Sequence, residues 1–208
     1  MRQGVWIVHP QGLFASALCC ALGLTTGCGG PPAGPTAPTA GPTTTTADDA
    51  PPAGATAPTQ SGPKAPDFTL PTLDGKRARL SDHLGKRVIL LDFWHTTCHP
   101  CIQELPELRQ LYHQYRDRGF IVLGITTDGP ETRADVTSVV RDNRLDFPIL
   151  LDEETAVQDR YNPKGELPFT VLINRSGAIV LKRASYQAGD EKSMKQLVDA
   201  IEAALAAP

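Results

Sequence analysis

Beyond its first 28 residues this 208-residue chain has only two of its five cysteines, Cys98 and Cys101. The other three, Cys19, Cys20 and Cys28, fall in an N-terminal leader. That scarcity excludes a fold stapled by a disulfide framework, which needs several separated pairs. Net charge is equally scarce, at −3, and a chain without a basic surplus gives no reason to expect a nucleic-acid partner. Long hydrophobic runs are missing too. The apolar stretch Leu13 to Leu24 is too short to span a bilayer comfortably and reads as the core of an export signal, behind a sparse positive region at Arg2. A second close pair of metal ligands is absent. His83, His95, His99 and His113 are scattered, so Cys98 and Cys101 lack the two further ligands of a structural zinc site, and no metal is expected. What the chain does have is apolar content, 40% of its residues, enough for one domain with a proper core.

The composition divides the chain into three parts. Residues 1–28 form the signal peptide. Its end, Thr25-Thr26-Gly27-Cys28, is similar to the lipobox of bacterial lipoproteins, in which the cysteine is lipidated and becomes the mature N-terminus. Gly27 fits that pattern; Thr25 departs from it, because Leu is usual there and Leu24 stands one place too early. Lipidation of Cys28 is the expectation, with ordinary cleavage or an uncleaved signal as alternatives, and export follows from each. Residues 29–63 are almost all Pro, Thr, Ala, Gly and Ser, with only Asp48 and Asp49 charged. Such a segment cannot offset its conformational entropy and is read as a disordered linker, reaching up to roughly 100 Å at about 3.1 Å per residue. Residues 64–208 are the folded domain.

Within that domain Phe68 to Leu70 and Ala78 to Leu80, joined across Asp74-Gly75, predict a short hairpin. Val88 to Trp94 is a buried strand by its continuous apolar character. A helix from Cys98 to about Arg118 repeats apolar residues at Ile102, Leu105, Leu108, Leu111, Tyr112 and Tyr115, and Pro106 inside it should kink it. Phe120 to Thr126 is a strand, Val136, Val139 and Val140 mark a helix ending near Asn143, and Phe147 to Leu151 is another strand. Phe169 to Asn174 and Ala178 to Ser185 flank the turn Arg175-Ser176-Gly177 as an antiparallel hairpin, and a last amphipathic helix carries Met194, Leu197, Ile201 and Leu205. The order is that of an α/β sandwich with helices on both faces of a central sheet.

The stretch Cys98-His99-Pro100-Cys101 sits where the strand gives way to the helix. Two cysteines one turn apart on a helix can bond to each other, and the helix N-terminus favours a thiolate at the first. The chemistry is thiol–disulfide exchange, with Cys98 attacking and Cys101 resolving the mixed disulfide. Asp92 interrupts an apolar strand, where burial should raise its pKa. Pro100 suits a first helical turn, where no N–H is required. His99, as an imidazolium, would favour the Cys98 thiolate; the alternative is a solvated surface histidine.

Asp92-Phe93-Trp94, three residues and then CxPC resemble the thioredoxin superfamily. Ala65-Pro66-Asp67-Phe68 with Leu73-Asp74-Gly75, Cys101-Ile102-Gln103-Glu104-Leu105-Pro106, the extra unit from Gly124 to Asp152, and Leu167-Pro168 before Phe169 narrow the resemblance to the TlpA/ResA-like extracytoplasmic thiol–disulfide oxidoreductases, with their AhpC/TSA-redoxin-type domain. The resemblance implies an α/β thioredoxin-like fold with an N-terminal β-hairpin and a central αβ insertion. It implies that Asp92 exchanges a proton with Cys101, that Glu104 is a second acid at the site, and that Leu167-Pro168 is cis and, with Trp94, contacts substrate. A solvent-facing helical carboxylate is the alternative for Glu104. Thr97 departs from the family, which usually has Trp before the first cysteine to shield the sulfur.

The resulting expectation is an enzyme of the bacterial cell envelope, in the periplasm or lipid-anchored to a membrane at Cys28. It would reduce protein disulfides for cytochrome c maturation or metal-site thiols. Its partners would be protein thiol and disulfide substrates and a membrane thiol-electron transporter, with no cofactor beyond the Cys98–Cys101 disulfide, and it would act as a monomer. One alternative is a peroxiredoxin-type peroxidase, although His95 and Leu91 stand where that chemistry wants Thr and Pro. The other is a non-catalytic metal- or heme-handling thiol chaperone using Cys98, Cys101 and His99.

Overall fold

The computed structural model describes residues 61–187 and 189–207. The leader, Cys28 and nearly all of the linker lie outside them. Ordered contacts begin slightly before the expected domain start: the Pro63 carbonyl accepts from Ile179 N–H at 2.9 Å, and Lys64 bridges to Ala178.

The elements are β1 (Thr69–Pro71), β2 (Arg77–Arg79), β3 (Val88–Trp94), α1 (His99–Tyr115), β4 (Phe120–Thr126), α2 (Arg133–Asp142), β5 (Ile149–Leu151), α3 (Ala156–Tyr161), β6 (Phe169–Ile173), β7 (Ile179–Ala184) and α4 (Glu191–Ala206). The central sheet has the order β5-β4-β3-β6-β7. β3 runs parallel to β4 and β4 to β5, whereas β6 is antiparallel to both β3 and β7. β1 and β2 form the expected antiparallel hairpin, tied to the sheet edge by a bridge from Thr72 to Leu150.

β3 is buried along its whole length, which explains why it reads as a continuous apolar run. Alternation still assigns each side chain to a face. Ile89, Leu91 and Phe93 point into one core with Phe68, Leu80, Val157 and Tyr161, from the hairpin region and α3. Val88, Leu90 and Trp94 point into the other, with Leu105 and Leu108 of α1 and Leu197 and Ile201 of α4. By the same alternation Asp92 belongs to the α1 and α4 face.

Two details differ from the sequence reading. Cys98 is the cap of α1 rather than its first helical residue, whereas Pro106 lies inside α1 as expected. A six-residue helix, α3, stands where no element was expected. The architecture is otherwise the expected one: a thioredoxin-like α/β fold in which α2 and β5 form the inserted unit beside β4.

Candidate active site

The turn between β3 and α1 delivers the two sulfurs. Cys98 has extended backbone as the N-cap, and its Sγ accepts from Cys101 N–H at 3.3 Å. Pro100 occupies the first turn, where its missing N–H leaves no bond unmade. The Cα atoms are 5.2 Å apart and the sulfurs are joined at 2.05 Å. The two cysteines differ sharply in access. Cys101 is 1% exposed and belongs to the core, whereas Cys98 is only half-buried. An incoming thiolate or disulfide can reach Cys98 alone. His99 is exposed beside it, and no hydrogen-bond partner fixes its ring among the described residues.

Beneath α1 lies a buried charge cluster. Asp92 is 2% and Glu104 1% exposed, so the solvent-facing alternative for Glu104 does not hold. Arg183, on β7, is 8% exposed and donates from Nη2 to Glu104 Oε1. Its Nε donates to Thr170 Oγ1 at 3.1 Å and its Nη1 to Ser193 Oγ at 3.2 Å. The register explains the meeting: Asp92 lies opposite Thr170 on β6, and Thr170 lies opposite Arg183 on β7. Asp92 Oδ1 and Glu104 Oε2 have no hydrogen-bond partner. Burial, reinforced by the charge of Glu104, pushes the Asp92 carboxyl well above its ordinary value, against the pull of Arg183. Burial also raises Glu104, to about 6, with Arg183 opposing it. Tyr186 donates to Glu107 Oε1 at 2.5 Å, and burial raises its hydroxyl to about 12.

A second network holds the turn that precedes Cys98. The buried carboxylate of Asp128 accepts from Thr96 N–H at 2.9 Å and from the Thr96, Thr126 and Thr132 hydroxyls at 2.5, 2.5 and 3.1 Å. His95 Nε2 approaches Asp128 Oδ1 at 3.4 Å. On its other side Nδ1 accepts from Thr97 N–H at 3.1 Å and lies 2.9 Å from Thr97 Oγ1. Cys98 N–H then donates to the His95 carbonyl at 2.9 Å. Thr97 is exposed and leaves the approach to Cys98 uncovered by any aromatic ring at that position.

The Leu167–Pro168 bond is cis, as the resemblance implied. Leu167 is half-buried and, like Cys98, packs against the cluster that contains Cys101. Trp94 corrects an expectation. It is fully buried, beside the close approach at Gly124, where an added Cβ would stand 3.5 Å from Trp94 Nε1 and 3.0 Å from Phe147 and Ile149. As placed, its ring supports the core under the site and presents no surface to a substrate.

The structure therefore brings Cys98, Cys101, Pro100, Asp92 and Glu104 to one end of α1. Sequence reasoning missed Arg183 and Asp128. For Arg183 a signal existed, a charge inside a strand, the same signal that singled out Asp92. Asp128 lies 32 residues from its partner Thr96, and nothing local marks it. Among the described residues no three His, Cys, Asp or Glu side chains form a group able to hold a metal ion.

A model of the AhpC/TSA family matches residues 61–182. The chain belongs to the AhpC/TSA family. Within it, the chain is 37% identical over 123 residues to thiol-disulfide oxidoreductase ResA of Bacillus cereus, covering 59% of this chain and 69% of that one. Among solved structures it is similar to a Chlorobium tepidum protein assigned as thiol:disulfide interchange protein DsbE, with a TM-score of 0.61, 31% identity, and coverage of 70% and 97%. It is also similar to a secreted Mycobacterium tuberculosis disulfide oxidoreductase homologous to Escherichia coli DsbE, with a TM-score of 0.56, 25% identity, and coverage of 65% and 95%. This AhpC/TSA member is an oxidoreductase of the thiol–disulfide class, with Cys98 and Cys101 as its disulfide.

Proposed function

We propose that the protein is a membrane-tethered thiol–disulfide oxidoreductase of the bacterial cell envelope that reduces selected protein disulfides. The observation that carries the mechanism is the asymmetry of the dithiol: one sulfur half-buried at the start of α1, the other in the core on the sheet face that also carries the buried Asp92. In the reduced enzyme the Cys98 thiolate, favoured by the N-terminus of α1, attacks a substrate disulfide. A Cys98–substrate S–S bond forms and the substrate's other sulfur leaves as a thiolate. Cys101 then passes its proton to the Asp92 carboxylate and attacks the Cys98 sulfur. The Cys98–Cys101 bond forms, the mixed disulfide breaks, and the second substrate sulfur leaves as a thiolate, so two electrons have moved from enzyme to substrate. Glu104 supports this transfer as the second acid, and His99 and Pro100 tune the thiolate. The strand at Leu167-Pro168 offers backbone to an extended substrate segment, a β-augmentation contact.

The oxidised enzyme must be re-reduced, and in an oxidising compartment that calls for a membrane thiol-electron transporter. Export rests on the leader sequence, with a secreted structural neighbour in its favour, and anchoring at Cys28 rests on the lipobox-like end of that leader alone; apocytochrome or copper-site thiols are the substrates that the TlpA/ResA-like motifs of the sequence suggest. Loss of lipid labelling in Cys28→Ser tests the anchor; labelling that persists in that variant contradicts it. The direction of electron flow is tested by the reduction potential of the Cys98–Cys101 pair. A reductase requires a value near about −270 mV, and a value near about −120 mV means an oxidant instead.

A further inference from the structure

Arg183 is a buried cation with two carboxyl groups to choose from. Its three hydrogen bonds end on Glu104, Thr170 and Ser193, and Asp92 Oδ1 is left without a partner. One guanidinium compensates one carboxylate. Once Cys101 has given up its proton, a second ionised carboxyl in the same buried pocket would be an unpaired anion, and such a group takes up the proton instead. The titratable groups that face this pocket are Glu104 and Glu107 on α1, Arg183 on β7 and Tyr186 just after it, with the dithiol at the end of α1; α4 contributes only the Ser193 hydroxyl among the bonds to Arg183.

We propose that Arg183 is a positioning residue that divides the work between the two acids: by pairing with Glu104 it keeps that carboxyl ionised and leaves the single buried proton on Asp92. In the oxidised enzyme Asp92 then carries the proton that Cys101 surrendered, and reduction returns it to Cys101 as the disulfide opens. The direction of the shifts agrees, since Asp92 is pushed well above its ordinary value while Arg183 restrains Glu104 to about 6. Two acids placed unequally around one cation, only one of them hydrogen-bonded to it, take different roles, the pattern by which acid and base are assigned in a paired site.

The proposal rests on the reading of Asp92 as the proton partner of Cys101, and the two can fail separately. The location of the proton is read by infrared spectroscopy of the oxidised protein at pH 7. One protonated-carboxyl band is expected, lost in Asp92→Asn and retained in Glu104→Gln. Arg183→Met should add a second band, which disappears in Arg183→Met/Glu104→Gln, and Arg183→Lys should restore the single band. A wild-type band that follows Glu104, or an unchanged single band in Arg183→Met, overturns the proposal. If Arg183→Met does not fold, the spectra of the wild type, Asp92→Asn, Glu104→Gln and Arg183→Lys still decide where the proton sits. The parent reading is judged elsewhere, by the rate at which a mixed disulfide is resolved in stopped flow. A rate unchanged in Asp92→Asn removes Asp92 from the transfer whatever the bands show; a fall of about 10-fold or more supports it.

Discussion

Asp92 and Glu104 are costly residues to keep inside a small domain, and their cost depends on pH. In an unfolded chain carboxyls titrate near 4. In the folded protein Glu104 titrates near 6 and Asp92 is also raised, both because burial penalises the charged form. Between the unfolded and folded values the folded state holds the extra protons, so the stability these groups confer is complete below about pH 4 and is lost as pH rises through the folded values. Asp92→Asn removes the Asp92 share of that loss. The oxidised variant should therefore gain on the wild type in urea unfolding as pH is raised from 5 to 8, by at most about 1.4 kcal/mol per pH unit. A difference that stays constant or shrinks over that range would mean that Asp92 is not a buried proton holder. The same residues show what sequence can reveal at this scale. Asp92 announced itself as an acid in an apolar strand, and CxxC announced the chemistry. Arg183 carried the same signal, but its pairing was hidden: Glu104 is 79 residues away on a helix, and strand register relates Arg183 only to Thr170 and Asp92. Trp94 misled because an aromatic residue close to a site in sequence carries no local sign of which way its ring faces.

At the scale of elements, the turn from β3 into α1 matters more than either element. β3 and β4 were legible to the residue, since both are continuous buried runs, and α1 was legible from its apolar stripe. α3 was not. Six residues of the sequence Ala156–Tyr161 are too few to repeat a stripe, and its three buried residues include a glutamine. The Asp128 buttress was equally invisible, because the two donors that tie it to the turn before Cys98 both belong to Thr96, 32 residues away. Its energetic weight can be measured. Asp128→Asn keeps the shape but replaces one accepting oxygen by a donor, leaving the Thr96, Thr126 or Thr132 hydrogens facing an N–H. A loss of about 1–3 kcal/mol in denaturant unfolding is expected. An unchanged midpoint would show that the Cys98 turn is held by its backbone bonds alone.

Over the whole molecule, the sheet separates two cores and places all the chemistry at the edge of one of them. The core on the α1 and α4 face contains Cys101 and accepts Trp94 and Leu172 from the sheet; the other, with Phe68, Phe93 and Tyr161, serves packing. This division lets a small domain keep charged groups under its reactive end while an apolar second core supplies stability. The β-α-β order and the final hairpin made the sandwich legible, because parallel neighbours with a crossover helix leave few arrangements. The turn Arg175-Ser176-Gly177 made the pairing of β6 with β7 legible, but the place of β6 beside β3 was not, since an apolar strand does not state its neighbour.

The account as a whole depends on one sulfur attacking and the other resolving. Reduced Cys101→Ser, incubated with a disulfide-bonded peptide and examined by mass spectrometry, tests this most directly. One peptide should accumulate on Cys98 and persist, because no thiol remains to release it, and reduced Cys98→Ser should acquire none. A peptide on Cys101 in Cys98→Ser, or no adduct on Cys98 in Cys101→Ser, would contradict the assignment.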